Sequence, residues 1–191
     1  MENHGTAADG PRERILSAAS TLFYRHGINA TGIGELVEVA GVSKRTLYQL
    51  FGSKDELVAA YLRRMSASRH LIERCLDRAD LTPRERLVAL FDRPRPTFRG
   101  CPLHNAAVEL TEPGHPGRPV IVAHKRAFLD RLTDTARAAG ARDPQALGHR
   151  LFVVFEGAMA LATSTDDRNA FDYARPVALA LIEEAVPGAD G

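Results

Sequence analysis

The sequence has little of what several protein classes depend on. Its 191 residues include two cysteines, Cys75 and Cys101, which is too few for a disulfide framework. Tryptophan is absent and aromatic residues make up 6% of the chain. Neither sign of charge dominates, since 25 Lys and Arg oppose 24 Asp and Glu for a net charge of +1. Taken alone, this balance argues against a nucleic-acid binder, because that class is usually basic.

Long hydrophobic runs are also missing. Residues 1–10 are polar and carry no apolar stretch typical of a signal peptide. The most apolar segment, 151–162, is short for a membrane span and contains Glu156. Nucleophile-elbow, Walker and dinucleotide-binding motifs are absent. We therefore expect a soluble cytoplasmic protein that is not an enzyme and has no cofactor and no membrane partner.

The residues that are present favour helices. Hydrophobic residues make up 45% of the chain, enough for a core, and apolar positions recur with helical spacing rather than alternating as in strands. The first helix is predicted to begin at Pro11 and stop at Gly27, and the second covers 33–40 and stops at Gly41. In the second half, helices are predicted over 83–91, 102–110, 119–139, 143–163 and 169–186. Pro176 either kinks the last helix or marks its start.

Two serines are predicted to cap helices between these halves. Ser43 caps a very short helix, and Ser53 with Glu56 forms a capping box. The box opens a long helix that we expect to continue to about Arg78.

The short helix after Ser43 carries the most chemical information. Two amphipathic helices are joined by residues 40–43, which is the spacing of a helix-turn-helix. We predict that an inward face holds Leu47, Leu50 and Phe51. The outward residues suit DNA, because Arg or Lys donates to guanine, Gln pairs with adenine, and Lys, Tyr and hydroxyl groups hold phosphates. The predicted DNA-binding residues of this segment are Ser43, Lys44, Arg45, Thr46, Tyr48, Gln49 and Lys54.

An ordered set of residues extends this signal over about fifty positions. It comprises Ile15-Leu16-x-Ala18-Ala19-x-x-Leu22-Phe23-x-x-x-Gly27, then Thr31-x-Ile33, then Ala40-Gly41-Val42-Ser43-x-x-Thr46-Leu47-Tyr48-x-x-Phe51-x-Ser53-Lys54-x-x-Leu57. With this set, residues 12–62 resemble the DNA-binding domain of the TetR family of bacterial transcriptional regulators. The resemblance implies a homodimer, a palindromic operator in double-stranded DNA, a small-molecule effector, and DNA contacts at Thr31 and Gly32.

The chain departs from the family pattern at several of these positions. Gly32 and Gly34 stand where the family often has a hydroxyl and a polar residue, and glycine weakens the start of a helix. Arg45 occupies a position often held by Gly, and Leu50 one often held by His or Tyr. We therefore expect a base preference that differs from those of relatives.

Combining pattern and resemblance, we predict an all-α protein of about nine helices. Residues 1–10 form a disordered tail, 11–53 a three-helix helix-turn-helix domain, and 54–191 a helical bundle that binds an effector and dimerises. The function predicted is a sequence-specific repressor that a largely apolar effector releases from its operator. A helical adaptor that binds a partner protein through the same basic helix is the alternative.

Candidate effector-binding residues combine apolar side chains with a few polar groups, as small-molecule pockets do. They are Met65, Leu87, Phe91, His104, Asn105, Val108, Glu109, His124, Phe128, Phe155, Glu156 and Met159. Each apolar member is more typical of plain core than of a pocket, and Glu156 is equally typical of a structural pair with an arginine. Segment 99–109 resembles the start of the sixth helix in many TetR regulators.

Two further kinds of sensing stay open. A metal sensor could use His104, Glu109 and His124, although their spacing matches no metal motif. A redox sensor could use Cys75 and Cys101.

The resemblance to the TetR family implies that the last two predicted helices pair with a second copy. The helix over 144–163 is apolar nearly all round and so needs more than one partner. The alternative is that both helices only complete the core of a single chain. The dimer residues predicted are Leu151, Val154, Ala158, Ala162, Ala174, Val177, Ala178, Leu181 and Ile182.

Overall fold

The computed structural model describes residues 10–68, 73–93, 99–167 and 169–187. In these ranges the chain forms α-helices and one 3₁₀ helix, with no strand. The α-helices are α1 Pro11–His26, α2 Ile33–Ala40, α3 Lys44–Phe51, α4 Lys54–Ala67, α5 Pro83–Ala89, α6 Pro102–Glu109, α7 Gly117–Ala138, α8 Pro144–Thr165 and α9 Ala170–Ala185. The 3₁₀ helix covers Glu73–Asp77. The all-α prediction is confirmed. The predicted disordered tail lies almost wholly outside the described residues.

The chain divides into two compact units. The first comprises residues 1–68 and 102–122, and the second comprises 69–101 and 123–191. The first unit therefore contains helix α6 as well as the helix-turn-helix. This division follows compactness, and the functional boundaries predicted at 11–53 and 54–191 stay predictions.

In the first unit, α1 packs against α2, α3 and α4. Its buried face includes Ile15, Ala19 and Phe23, and the Phe23 ring meets the buried Tyr61 ring of α4 edge to face at 5.3 Å between centroids. Gly27 ends α1 at a φ of 96°, as its position in the sequence predicted.

In the second unit, α8 and α9 pack along one another and α5 packs against α9. Phe155 of α8 lies at the centre of an aromatic cluster, with ring centroids 6.2 Å from Phe91, 5.2 Å from Phe128 and 6.1 Å from Phe171. All four rings are buried, so the cluster is the core of this unit.

Two helices differ from their predicted bounds. Helix α4 ends at Ala67 instead of continuing to Arg78, and Glu73–Asp77 forms a separate 3₁₀ helix. The Ser68 hydroxyl donates to the Met65 carbonyl, a local bond that competes with helix continuation. Helix α9 contains Pro176 in its interior, so this proline does not mark the start.

Helix α8 is long and apolar enough to cross a membrane by length and composition alone, and no other helix in the described ranges is. The core helix of a soluble protein passes the same test, and Leu151, Phe155 and Met159 of α8 are buried within the second unit.

Candidate nucleic-acid interface

Helix α3 begins at a well-defined turn. Gly41 ends α2 in the left-handed conformation, with a φ of 61°, and the Val42 N–H donates to the Val37 carbonyl as in a Schellman motif. Ser43 then caps α3, because its hydroxyl accepts the Thr46 N–H at 3.0 Å. The structure confirms the predicted helix-turn-helix geometry.

The rest of the first unit supports this turn. The Arg14 guanidinium of α1 donates to the Ala40 carbonyl at 3.1 Å. The Arg12 guanidinium lies 5.3 Å from the ring centroid of Phe51, at the far end of α3. At the start of α4, the Ser53 hydroxyl accepts the Glu56 N–H at 3.1 Å, which confirms the serine half of the predicted capping box. Helix α3 is thus fixed at both ends.

Helix α3 separates an inward face from an outward face. Leu47 and Phe51 are buried against the unit. The predicted DNA-facing residues of this helix, Lys44, Arg45, Tyr48 and Gln49, are all exposed. Leu50 was predicted to point inward and instead is 41% exposed. It lies about 60° around the helix from Leu47 and about 100° from Phe51, on the side away from Phe51, which carries it to the edge of the inward face.

The basic side chains at this surface are not neutralised. Lys44, Arg45 and Lys54 form no ion pair with any described residue, and segment 41–54 contains no Asp or Glu. Arginines elsewhere are paired at the surface, such as Arg64 with Glu13 and Arg93 with Asp172. A local positive potential therefore remains over α3, although the whole chain is nearly neutral.

One predicted DNA contact at the start of α2, Thr31, is not available to DNA. Thr31 was predicted to contact DNA, but its side chain is fully buried and its hydroxyl donates to the Gly27 carbonyl at 2.7 Å. This hydroxyl fixes the turn between α1 and α2 and is not presented to a phosphate. Gly32 is exposed, and a Cβ there or at Gly34 would meet nothing within 4 Å, so packing does not require either glycine.

Sequence reasoning missed a contact at this turn. Glu109 of α6, a predicted effector residue, accepts the Asn29 backbone N–H at 2.9 Å, and the Asn29 amide group donates to the Glu109 carbonyl at 3.2 Å. A Cβ on Gly27 would lie 3.1 Å from the same carboxylate. No local signal predicts this contact, because 80 residues separate the partners.

The structure divides the predicted effector residues between the units. Met65, His104, Asn105, Val108 and Glu109 belong to the first unit, where Val108 is 69% exposed. The remaining members belong to the second unit, namely Leu87, Phe91, His124, Phe128, Phe155, Glu156 and Met159. The predicted set is therefore not one cluster within either unit.

The polar members in the second unit are paired. His124 is buried with its Nε2 3.1 Å from Glu73 Oε1, and Arg131 holds the other carboxylate oxygen of Glu73 at 3.3 Å. Glu156 accepts from Lys125 Nζ at 2.5 Å, so it forms the expected structural pair, but with a lysine and not with an arginine.

The structure gives little support to the metal-sensing and redox-sensing alternatives. The described residues contain no group of His, Cys, Asp and Glu side chains that could hold a metal ion, and His104 and Glu109 lie in a different unit from His124. Cys75 is half-buried, and this burial raises the pKa of its thiol to about 12, whereas Cys101 is fully buried. A thiol of this kind carries little thiolate at neutral pH and reacts slowly.

The predicted dimer residues separate into two groups. Leu151, Ala158, Ala162, Ala178 and Ile182 are buried within the chain itself and are not available to a partner, contrary to expectation. Val177 is exposed, whereas Val154, Ala174 and Leu181 are half-buried. The large apolar residues that α8 and α9 do expose are Val153, Leu161, Tyr173 and Val177.

Comparison with known proteins also points to a helix-turn-helix DNA-binding protein. Residues 15–61 match the family described as bacterial regulatory proteins, tetR family. A tetR-type transcriptional regulator of Streptomyces avermitilis is 38% identical to this chain, and its crystal structure matches with a TM-score of 0.81 over 93% of this chain and 98% of that one. A TetR-family transcriptional regulator from Streptomyces coelicolor is 27% identical, with a TM-score of 0.76 over 93% and 96% of the two chains.

A relative that is named as an activator is similar over a shorter range. The HTH-type transcriptional activator FasR of Mycolicibacterium smegmatis is 29% identical over 162 residues, which are 82% of this chain and 71% of that protein.

Proposed function

The chain belongs to the tetR family of bacterial regulatory proteins and is a DNA-binding transcriptional regulator of the helix-turn-helix type, and from this premise we propose that it represses transcription until a small-molecule effector releases it. The operator is proposed to be palindromic. The protein is proposed to act in the cytoplasm, because the bacterial DNA that contains the operator lies there.

The exposed basic face of α3 carries this proposal. Arg45 and Gln49 extend from it without a side-chain partner in the described residues, and Lys44 and Lys54 leave its charge unbalanced. A recognition helix that enters the major groove needs side chains with no partner inside the protein. Their hydrogen-bonding groups then contact water in the free protein and base edges or phosphates in the complex.

The effector is proposed to act through the second unit. A largely apolar molecule is proposed to bind beside the aromatic core around Phe155, because small-molecule sites are lined mainly by apolar and aromatic side chains. Release of DNA requires that the effector bind one conformation more tightly than the other, since equal affinities shift nothing. Effector addition is expected to weaken operator binding. The relative FasR is named an activator, so regulators similar to this chain are not all repressors. An effector that strengthens operator binding would contradict the proposed release.

A homodimer formed through α8 and α9 is part of the proposal. Val153, Gly157 and Leu161 recur every fourth residue on the exposed side of α8, and Tyr173 and Val177 do the same on α9. Residues spaced by four share one face of a helix. Such an apolar face exposed to water on each helix fits burial against a second copy. This set replaces the buried members of the predicted dimer set.

Selection of bound fragments from genomic DNA tests the proposal. The enriched fragments should share a palindrome, and binding should weaken steeply with added salt because phosphate contacts release counterions. Lys44→Ala and Tyr48→Ala should weaken binding, whereas Arg126→Ala, an exposed change on α7, should not. Failure of the wild-type chain to enrich any fragment would favour the adaptor alternative.

A further inference from the structure

The exposed face of α3 has a centre and two flanks. At about 100° per residue, the direction opposite Leu47 and Phe51 passes through Gln49 and lies about 40° from Arg45. Tyr48 and Leu50 lie about 100° to either side of that direction. Arg45 and Gln49 are therefore the residues of α3 that point most directly away from the protein.

Neither of these side chains is occupied within the chain. In the ranges that the structure describes, Arg45 and Gln49 form no side-chain hydrogen bond and no ion pair. Thr46, which lies closest to them on the face, is engaged instead, because its hydroxyl is 2.8 Å from the Ser43 hydroxyl in the cap. The hydrogen-bonding groups of both side chains are therefore available to bind a partner molecule.

Their chemistry matches two different base pairs. The fork of an arginine guanidinium donates two parallel bonds to guanine N7 and O6. The glutamine amide donates to adenine N7 and accepts from adenine N6. Residues four apart on a helix are separated by about 6 Å along its axis, which spans one or two base-pair steps of about 3.4 Å.

We propose that Arg45 and Gln49 are the base-specifying pair of this regulator. Each operator half-site then contains a G·C pair read by Arg45 and, one or two base pairs away, an A·T pair read by Gln49. Lys44 and Tyr48, on the flank, hold phosphates and contribute affinity without base preference. This inference rests on the proposed function, since it requires that α3 enter the major groove.

Selection from a randomised duplex library tests this assignment, with the full-length wild type and four variants compared. Arg45→Ala should lose the preference for G at one half-site position, with a change of roughly tenfold to a hundredfold in discrimination there. Gln49→Ala should lose the preference for A within two positions of it. Lys44→Ala should weaken binding to all sequences alike and leave the preferred sequence unchanged.

Arg45→Lys separates base reading from charge. Lysine keeps the positive charge but lacks the planar fork, so this variant should keep the salt dependence of binding and still lose much of the preference for G. Because Arg45 and Gln49 are exposed, circular dichroism should show unchanged helix content in every variant.

The outcomes are distinct. A wild type that selects a palindrome, with Arg45→Ala and Gln49→Ala selecting that same palindrome, overturns the inference and leaves the proposed function standing. A wild type that enriches no sequence overturns both. Loss of G in one variant and of A in the other supports the assignment.

Discussion

Glu109 and Asn29 join helix α6 to the turn between α1 and α2 through a reciprocal pair of hydrogen bonds. The carboxylate accepts the Asn29 backbone N–H, and the Asn29 side chain donates to the Glu109 carbonyl. Gly27 leaves room for this carboxylate, because a side chain there would crowd it. A residue that looked like an effector ligand in the sequence thus serves the structure of the DNA-binding unit.

Replacing Glu109 should therefore loosen the α1–α2 turn. Glu109→Ala leaves the Asn29 N–H without its acceptor, and we expect the free energy of unfolding to fall by about 1 kcal/mol. Hydrogen exchange at Asn29 should become faster. Glu112→Ala, an exposed change in the loop after α6, is the matched control. Unchanged exchange at Asn29 would show that the carboxylate does not hold the turn.

The core of the second unit should depend strongly on Phe155. Its ring is buried between three other aromatic rings, so Phe155→Ala should lower the free energy of unfolding by about 3–5 kcal/mol. Gln145→Ala, on the exposed side of the same helix, should change it little. Urea unfolding followed by circular dichroism measures both, and a loss below about 1 kcal/mol for Phe155→Ala would contradict the packing described.

The proposed dimer face can be tested by inserting a charge. Val153→Asp should shift the protein from dimer to monomer in analytical ultracentrifugation, because an unpaired carboxylate is costly in an apolar interface. Val108→Asp is a close control, since Val108 and Val153 are each 69% exposed and lie on different helices. If Val153→Asp stays dimeric at low micromolar concentration, the second copy binds elsewhere.

Cys75 should make stability depend on alkaline pH. Burial raises the pKa of the folded thiol from 9.0 to about 12, so between these values the unfolded chain loses a proton that the folded chain keeps. Stability from this group is complete below pH 9 and falls as the pH rises toward 12. Other groups titrate in this range, so the measured quantity is the difference between wild type and Cys75→Ser.

That difference should appear in urea unfolding as a free energy that declines more steeply in the wild type between pH 9 and pH 11. Alkylation of native Cys75 should also be slow and should not accelerate near pH 9, where the thiol of the unfolded chain ionises. Rapid alkylation at neutral pH would instead reopen the redox alternative.

Local signals predicted much of the fold. Gly27, Gly41 and Ser43 act over a few residues, so their effect on the chain can be read without knowing the tertiary structure. The family motif and the exposed residues of α3 were predictable for the same reason. Leu50 was placed wrongly because its apolar character was taken as burial, whereas the phase of a short helix decides which way it points.

Distant contacts were not predictable. Nothing in the sequence links Glu109 with Asn29, since pairing across 80 residues depends on how α6 packs. Helix α8 is apolar on most of its circumference, so periodicity alone could not separate Leu151, which is buried within the chain, from Val153, which is exposed. The end of α4 at Ala67 was missed for a different reason, because the bond from the Ser68 hydroxyl to the Met65 carbonyl is local and leaves no mark on the hydrophobic periodicity.

The assignment of residues 102–122 to the same compact unit as the helix-turn-helix bears on how this regulator can be recombined with others. A chimaera that joins residues 1–68 to the remainder of an unrelated regulator would give Asn29 a foreign α6 in place of Glu109. The compact unit that contains the helix-turn-helix is formed by two separate segments of the sequence. Transfer of its DNA specificity to another regulator must therefore include both segments, or must exchange only the exposed residues of α3.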